Sequence, residues 1–170
     1  MSDLARIFSR PFLVAEVTPQ GRHRRIEADE AERAALAEAL GIRAVRALEA
    51  DFFLKPSPDG SVILSGEVRA SVEQICVVTT EPVANQVREP VEIAFGDPPR
   101  KSSPPDEEDQ RDPPEPIVDG RIDLGAVAAE HLALGLDPYP RKPGAAFDSA
   151  IGENDAEASP FAALKKLRES

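Results

Sequence analysis

Alternation of apolar and polar side chains along residues 61–78, SVILSGEVRASVEQICVV, constrains the fold more than any other feature of the sequence. One face carries the apolar set Val62, Leu64, Val68, Val72, Cys76 and Val78. The other face carries the polar set Ser65, Glu67, Arg69, Ser71 and Glu73. Because successive side chains of a strand point to opposite faces, the pattern predicts a half-buried antiparallel sheet.

Further strands are predicted on both sides of this segment. Residues 11–18, PFLVAEVT, suit a first strand, and the following TPQGRHRR predicts a turn with an exposed basic cluster. Residues 42–55 predict a strand, although their Ala and Leu content leaves a helix open. Asp59-Gly60 predicts a hairpin bend. Apolar residues at 87, 91, 93 and 95 predict one or two more strands.

Helix-starting residues mark three helices. Asp29 with Glu32 predicts a capping box for a helix over 29–40, which ends at Gly41 and covers the meander. Asp123 predicts the start of a second helix. The final SPFAALKKLRES predicts a short amphipathic helix with Pro160 in its first turn. The expected fold class is α+β: an antiparallel β-meander, with a barrel-like curl left open, packed with two main helices and a short C-terminal helix.

The chain of 170 residues predicts a single domain spanning 1–170. Residues 97–116 contain no large apolar side chain and are rich in proline and carboxylates, so we expect a disordered acidic loop there. We expect a second flexible segment at 141–158. Because the N-terminus has no signal-peptide core and no segment is apolar enough to span a membrane, we expect a cytoplasmic protein without membrane association.

The net charge is −11 at pH 7, with 31 acidic and 20 basic residues. Nucleic-acid binding depends on positive charge that neutralises phosphates, so this balance opposes unaided binding of RNA or DNA. It favours a basic protein partner. Two basic clusters remain as candidates for partner or RNA contact, and they comprise Arg22, Arg24, Arg25, Lys165 and Lys166.

Candidates for catalysis are few. Cys76 is the single cysteine, and it could be a nucleophile, part of a metal site or a packed apolar residue. We favour packing, since its Val, Ile and Thr neighbours predict burial that raises the thiol pKa. His131 is expected to pack on its helix. The acidic run at 106–109 lacks the spacing of a cation loop. We therefore expect no enzyme activity, no metal, no cofactor and no small-molecule substrate.

Several segments in order, GEVRASVEQICVVTTEPV, IDLGAVAAEHLALGLDPYPRKPG and SPFAALKKL, resemble the YceD family of large ribosomal RNA subunit accumulation proteins. The resemblance is most specific over 66–83 and 122–144, and the C-terminal segment resembles the alphaproteobacterial form. The positions that carry it are Cys76, Thr79, Glu81, Pro82, Asp123, Leu124, Asp137 and Pro138. It implies a non-enzymatic role in accumulation of the large-subunit rRNA and in ribosome assembly.

The sequence departs from the family pattern at Thr79. Many members have a C-x-x-C pair at this place, which could hold a metal, but here the second position is threonine, which cannot replace a thiolate ligand of zinc. The resemblance and the charge together predict a ribosomal protein or a pre-ribosomal large subunit as the partner, with the loop at 97–116 as an electrostatic contact. The alternative is a direct RNA-binding protein that uses the basic cluster at 22–25 and the C-terminal tail.

Overall fold

A computed structural model describes residues 3–96 and 113–145. The helices are α1 (Asp3–Ile7), α2 (Glu30–Ala39) and α3 (Leu124–Leu134). The strands are β1 (Pro11–Leu13), β2 (Arg22–Glu27), β3 (Ala44–Pro56), β4 (Val62–Ile75), β5 (Pro82–Phe95) and β6 (Arg121–Asp123). The short 3-10 helix Val14–Glu16 follows β1. The C-terminal helix predicted from residue 159 lies outside the described residues.

The main sheet has four antiparallel strands in the order β2-β3-β4-β5, so the meander predicted from the sequence is confirmed. The two outer strands do not pair with each other, which makes the sheet open and excludes the barrel-like closure left open above. β1 and β6 form a separate pair, with Phe12 opposite Ile122. The fold class is α+β, as predicted.

One face of the sheet is covered by helices and the other is exposed. The covered face is built from alternate residues of β3, β4 and β5, and α2 and α3 pack on it with α1 beside them. The fully buried side chains of the core between this face and the helices include Leu36, Leu48, Phe52, Leu54, Leu64, Val68, Val72, Leu124 and Leu132. The core is therefore covered by three helices and not by the helix at 29–40 alone.

Two glycines allow close packing at this core. A Cβ at Gly125, at the start of α3, would lie 2.6 Å from the carbonyl oxygen of Phe8, so only glycine lets α3 approach the end of α1. A Cβ at Gly66 would collide with the carbonyl oxygen of Asp51 on the neighbouring strand. Glycine inside a strand commonly marks such a close backbone approach.

The predicted capping box of α2 is present. The carboxylate of Asp29 accepts a hydrogen bond from the backbone N–H of Glu32, and the Glu32 carboxylate accepts one from the N–H of Asp29, each at 2.8 Å. Gly41 follows the helix with a φ of 64°, in the left-handed region that favours glycine. Local sequence signals therefore set both ends of this helix.

Two local predictions were wrong at their boundaries, and two elements were not predicted. The strand expected over 11–18 ends at Leu13, where the 3-10 helix begins. The basic cluster expected in a turn belongs to β2, because the turn is complete at Gly21. The helix α1 and the strand β6 carry no distinct sequence signal of their own, and each is held by contacts with residues distant in the chain.

Candidate functional site

Cys76 lies just beyond the end of β4, in the turn that leads into β5. The prediction that it continues the strand was wrong, because β4 ends at Ile75. The turn is closed by two backbone hydrogen bonds, in which Cys76 N donates to Glu81 O at 2.8 Å and Thr80 N donates to Cys76 O at 3.0 Å. Thr80 adopts a φ of 57°, which is uncommon for a residue other than glycine and forms the sharp bend.

The segment 137–142, which follows α3, packs against this turn. Val77 N donates to the carbonyl oxygen of Pro140 at 2.9 Å. The Nζ of Lys142 lies 2.7 Å from a carboxylate oxygen of Glu81, and this pair raises the pKa of Lys142 and lowers that of Glu81. The structure therefore brings together the two parts of the chain, 66–83 and 122–144, that carry the family resemblance.

The sulfur of Cys76 is the centre of this contact. It accepts hydrogen bonds from the backbone N–H groups of Thr79 and Lys142, both at 3.4 Å. Cys76 is fully buried but is not a member of the main hydrophobic core. Hydrogen bonds from Thr79 and the backbone N–H of Lys142 lower the pKa of the thiol to about 6. The expectation of a raised pKa was wrong, because the neighbours supply N–H donors as well as apolar surface.

Donors aimed at the sulfur stabilise a thiolate, and the contacts of the two histidines lie elsewhere. His23 lies on β2, where its ring packs 4.5 Å from that of Phe53, and the ring Nδ1 of His131 lies 2.9 Å from the carbonyl oxygen of Val127 on its own helix. Among residues 3–96 and 113–145, no group of three or more His, Cys, Asp or Glu side chains could hold a metal ion. Thr79 contacts the sulfur through its backbone N–H.

Gln74 is a contact residue that the sequence analysis missed. It is a buried polar residue, and its Nε2 donates to the carbonyl oxygen of Asp137 at 2.8 Å while its Oε1 accepts from Asn85. The sequence carried a signal for this contact. Position 74 is an even number of residues from Val68 and Val72, so its side chain lies on the same buried face of β4. A polar side chain on an apolar face predicts a specific buried partner.

An exposed apolar surface borders the Cys76 turn. Ile75, Val77 and Tyr139 have exposed fractions of 42%, 49% and 71%. Pro138 and Pro140 line a shallow cleft of about 380 Å³ beside Ile75. Pro138 thus lies at the surface, while the neighbouring Asp137 caps the turn by accepting the N–H of Tyr139 at 2.9 Å.

Asp123 links the start of α3 to the segment that follows α1, beyond its predicted roles as a helix cap and a family-signature position. Its Oδ1 accepts from Gly125 N and Ala126 N at the start of α3, as predicted for an N-cap, and also from Arg10 N at 2.7 Å. The guanidinium of Arg10 then donates to both carboxylate oxygens of Glu32 in α2, at 2.6 and 2.8 Å. The Arg10 hydrogen bond lowers the pKa of Glu32. The next residue, Leu124, is buried in the core.

The basic cluster at 22–25 does not form one surface. Because β2 is a strand, Arg24 points to the helix-covered side of the sheet, where it pairs with Glu16 at 2.7 Å and lies over the ring of Phe12. Arg25 points to the opposite face and pairs with Glu49 at 2.6 Å. The described residues offer Arg22 no ion-pair partner. The other predicted contact residues, Lys165 and Lys166, lie outside the described residues.

The exposed sheet face has a charge network of its own. Arg69, at the centre of β4, pairs with Glu49 at 2.9 Å, with Glu67 at 3.2 Å and with Asp51. The Arg69 hydrogen bond lowers the pKa of Glu49, and the Glu49 hydrogen bond raises the pKa of Arg69. This arrangement explains the polar half of the alternation in β4: opposite charges on adjacent strands pair across the sheet.

The acidic segment 97–116 begins and ends at the same place on the sheet. Its last residues, 113–116, are described, and residues 97–112 lie outside the described part of the chain. Glu115 N donates to Ala94 O at 2.8 Å, and Gly96 N donates to Glu115 O at 2.9 Å, so Glu115 pairs in parallel with the end of β5. The carboxylates of this segment are therefore tethered at both ends to the β5 edge.

These features define an α+β protein with an open antiparallel sheet, helices on one face and a turn-to-loop contact centred on Cys76. The family model for Large ribosomal RNA subunit accumulation protein YceD matches residues 64–168. This match extends over more than half of the chain, and the chain belongs to the YceD family. No curated protein and no solved structure matches it. In the described residues, no helix has the length and apolar character needed to cross a membrane.

Proposed function

We propose that this protein is a non-enzymatic, cytoplasmic factor that supports accumulation of the large-subunit rRNA and assembly of the large subunit. We propose further that it acts through a basic protein partner, a ribosomal protein either free or within a pre-ribosomal particle. Membership of a family described by large-subunit rRNA accumulation supports the first part. The observation that carries the second part is the tethering of the acidic segment to the β5 edge through Glu115.

Charge supports a protein partner over RNA as the direct contact. The segment 97–116 carries seven carboxylates and three basic side chains in a chain whose net charge is −11. Since both ends are held at Ala94–Gly96, the chain length limits how far these carboxylates lie from β5. A high local density of negative charge attracts a basic protein surface and repels phosphates.

The structure gives less support to direct RNA binding by the 22–25 cluster. Two of its three arginines are paired with carboxylates on opposite faces of the sheet. A phosphate that contacts Arg24 and Arg25 together would have to reach around the strand and displace Glu16 and Glu49. The interface expected for RNA is a continuous basic surface, which this arrangement does not provide.

Sedimentation of the tagged protein with ribosomal particles tests the proposal. We expect co-migration with precursors of the large subunit at low salt and weaker association at moderate salt, because screening shortens the range of the charge contact to a Debye length of about 8 Å at physiological ionic strength. Neutralising Glu107, Glu108 and Asp109 to the corresponding amides is expected to reduce this association.

The matched control neutralises three exposed glutamates away from the β5 edge, Glu27, Glu30 and Glu38, and so changes the net charge equally. The control variant is expected to retain association. Equal loss in both variants would show that net charge and not the tethered segment matters. Absence of the wild-type protein from particles and from complexes with any free ribosomal protein would contradict the proposed function itself.

A further inference from the structure

The strand β5 is a long edge with free backbone groups. It has 14 residues and, among the described strands, pairs along its length with β4 alone, from Pro82 opposite Ile75 to Phe95 opposite Val62. Within residues 3–96 and 113–145, its outer side is paired only at Ala94 and Gly96, with Glu115. An exposed edge presents unpaired N–H and C=O groups that can pair with another extended chain.

Pro90 identifies which backbone groups point outward. Proline has no N–H, so the pair of Glu67 and Pro90 cannot be a hydrogen-bonded pair of the antiparallel ladder. The even-numbered residues of β5 therefore direct their N–H and C=O groups away from β4. Ala94 and Gly96, which are also even-numbered, make their outward hydrogen bonds to Glu115 in agreement with this rule. Ala84, Gln86, Arg88 and Glu92 thus offer both groups to the outside, and Pro90 offers its carbonyl.

The molecule itself shows that this edge accepts a strand. Glu115 makes a two-hydrogen-bond bridge to it, in parallel orientation. The bridge stops at Ala94, so the ladder from Ala84 to Glu92 continues from it without a described partner. Addition of a strand to such an edge is a recurring mode of peptide recognition, in which backbone bonds supply affinity and side chains supply specificity.

The charge near the edge selects the kind of chain that fits. Glu89 and Glu92 lie on β5 on opposite faces of the sheet and outnumber Arg88, the single basic residue of the strand, while Glu115 lies at its end. The acidic segment follows β5 directly in the sequence. A strand added here would place its side chains beside carboxylates on both faces. Basic side chains on such a strand would be favoured by charge complementarity.

We propose that the β5 edge between Ala84 and Glu92 binds an extended basic segment of a partner protein as a fifth strand of the sheet. The charge class of the partner rests on the function proposed above, whereas the site rests on the backbone geometry. The other occupants that the edge could take, a second copy of the chain or the chain's own residues 97–112 or 146–170, are outcomes of the test.

The experiment uses the full-length protein and a synthetic peptide of alternating arginine and threonine as the probe. Amide hydrogen exchange is measured with and without the peptide, together with the peptide's Kd. We expect the amides of Ala84, Gln86, Arg88 and Glu92 to become protected, while amides on the free side of β2 do not change. A peptide of the same sequence with every backbone nitrogen methylated keeps the charge, but its methyl groups remove its donors and block close approach of its carbonyl groups to the edge, so it should not protect these amides.

Two variants separate the backbone bond from the side chain. Gln86→Pro removes the outward N–H at a position with the same parity as the native Pro90, and Gln86→Ala removes the same side chain but keeps the N–H. Loss of one hydrogen bond of about 1 kcal/mol predicts roughly fivefold weaker peptide binding for Gln86→Pro. We expect Gln86→Ala to bind like the wild type. Thermal unfolding of both variants checks that the sheet is intact.

The outcomes are distinct. Equal binding of the methylated and unmethylated peptides would overturn strand addition and leave a purely electrostatic contact, which is compatible with the proposed function. Concentration-dependent protection without peptide would show that a second copy occupies the edge and would overturn the proposal. Protection in the free monomer at all concentrations would show that the chain's own residues cover it, with the same consequence. Failure to sediment with ribosomal particles concerns the proposed function alone.

Discussion

The two edges of the four-stranded sheet differ in length, charge and cover. β2 has six residues, and two of its three arginines pair with carboxylates of neighbouring segments. β5 has 14 residues, carries Glu89 and Glu92, and within the described part of the chain is paired on its outer side only at the end that Glu115 reaches. Short, charged edges resist pairing with other chains. The comparison teaches that, within the described residues, the short edge is charged and ion-paired while the longer one has most of its outward backbone groups unpaired.

The largest expected effect comes from breaking the core that both edges share. Leu64 is fully buried in β4, and Leu64→Ala is expected to lower the free energy of unfolding by about 2–5 kcal/mol. Urea unfolding measures this change. Ser65→Ala, one residue along on the exposed face, is the control and should stay within about 0.5 kcal/mol of the wild type. Amide hydrogen exchange that accelerates at one edge alone in Leu64→Ala would show that the two edges do not depend on a common core.

Releasing the covered end of β5 is expected to have a smaller effect. Glu115→Pro removes the N–H that bonds to Ala94 O and should cost roughly 1 kcal/mol, the net worth of a typical hydrogen bond. Glu115→Ala keeps the bond and should change stability little. Both are measured by thermal unfolding, with hydrogen exchange at Gly96 as the local report. Similar destabilisation by the two variants would mean that the glutamate side chain and not the backbone bridge holds the segment.

At the β2 edge, two arginines that are two positions apart are expected to contribute unequally. Arg24→Ala removes an ion pair with Glu16 and a contact with the Phe12 ring 5.0 Å away, which together predict a loss of about 1 kcal/mol. Arg22→Ala is the matched control and should fall within about 0.5 kcal/mol of the wild type. Equal losses in denaturant unfolding would indicate that the cluster acts as one unit after all.

The last prediction concerns the turn from which β5 starts, and its size depends on pH. The pKa of the Cys76 thiol is lowered to about 6, below its ordinary value near 9.0. The folded state therefore favours the thiolate. Its stabilising contribution is complete above the unfolded-state pKa and is lost as the pH falls through about 6. We expect the wild type to gain stability relative to Cys76→Ser between these values and to show no such gain below pH 6.

Ultraviolet titration of the thiolate in the folded protein checks the pKa directly, and the same titration in denaturant gives the unfolded reference. A folded-state value at or above the unfolded one would reverse the sign of the expected pH dependence. It would also show that burial of Cys76 outweighs its N–H donors at Thr79 and Lys142.

Much of the fold could be predicted from sequence because its signals are local. The capping box of Asp29 and Glu32, the cap at Asp123 and the bend at Asp59-Gly60 each depend on residues a few positions apart. The alternation in β4 likewise predicted which face is buried. The segment 42–55, for which a helix was left open, became strand β3 because its long pairing with β4 overrides a weak local preference.

The candidate site was less predictable because it depends on contacts between distant residues. Cys76 looked like a packed strand residue, and its environment was misjudged because one N–H donor comes from Lys142, 66 residues further along the chain. Gln74 carried a visible signal, a polar residue on an apolar face, but its partner Asp137 could not be inferred from that signal.

The sequence by itself determined the α+β class, both ends of α2, the start of α3, the buried face of β4 and the family, since these follow from periodicity, caps and motifs that act over a few residues. Only the tertiary structure decided that the arginines of β2 point to opposite faces and pair separately. It also decided that Glu115 ties the acidic segment to β5 and that the sulfur of Cys76 accepts two N–H groups. The physical reason is that hydrogen bonds and ion pairs need their two partners at fixed distances, and chain folding sets those distances.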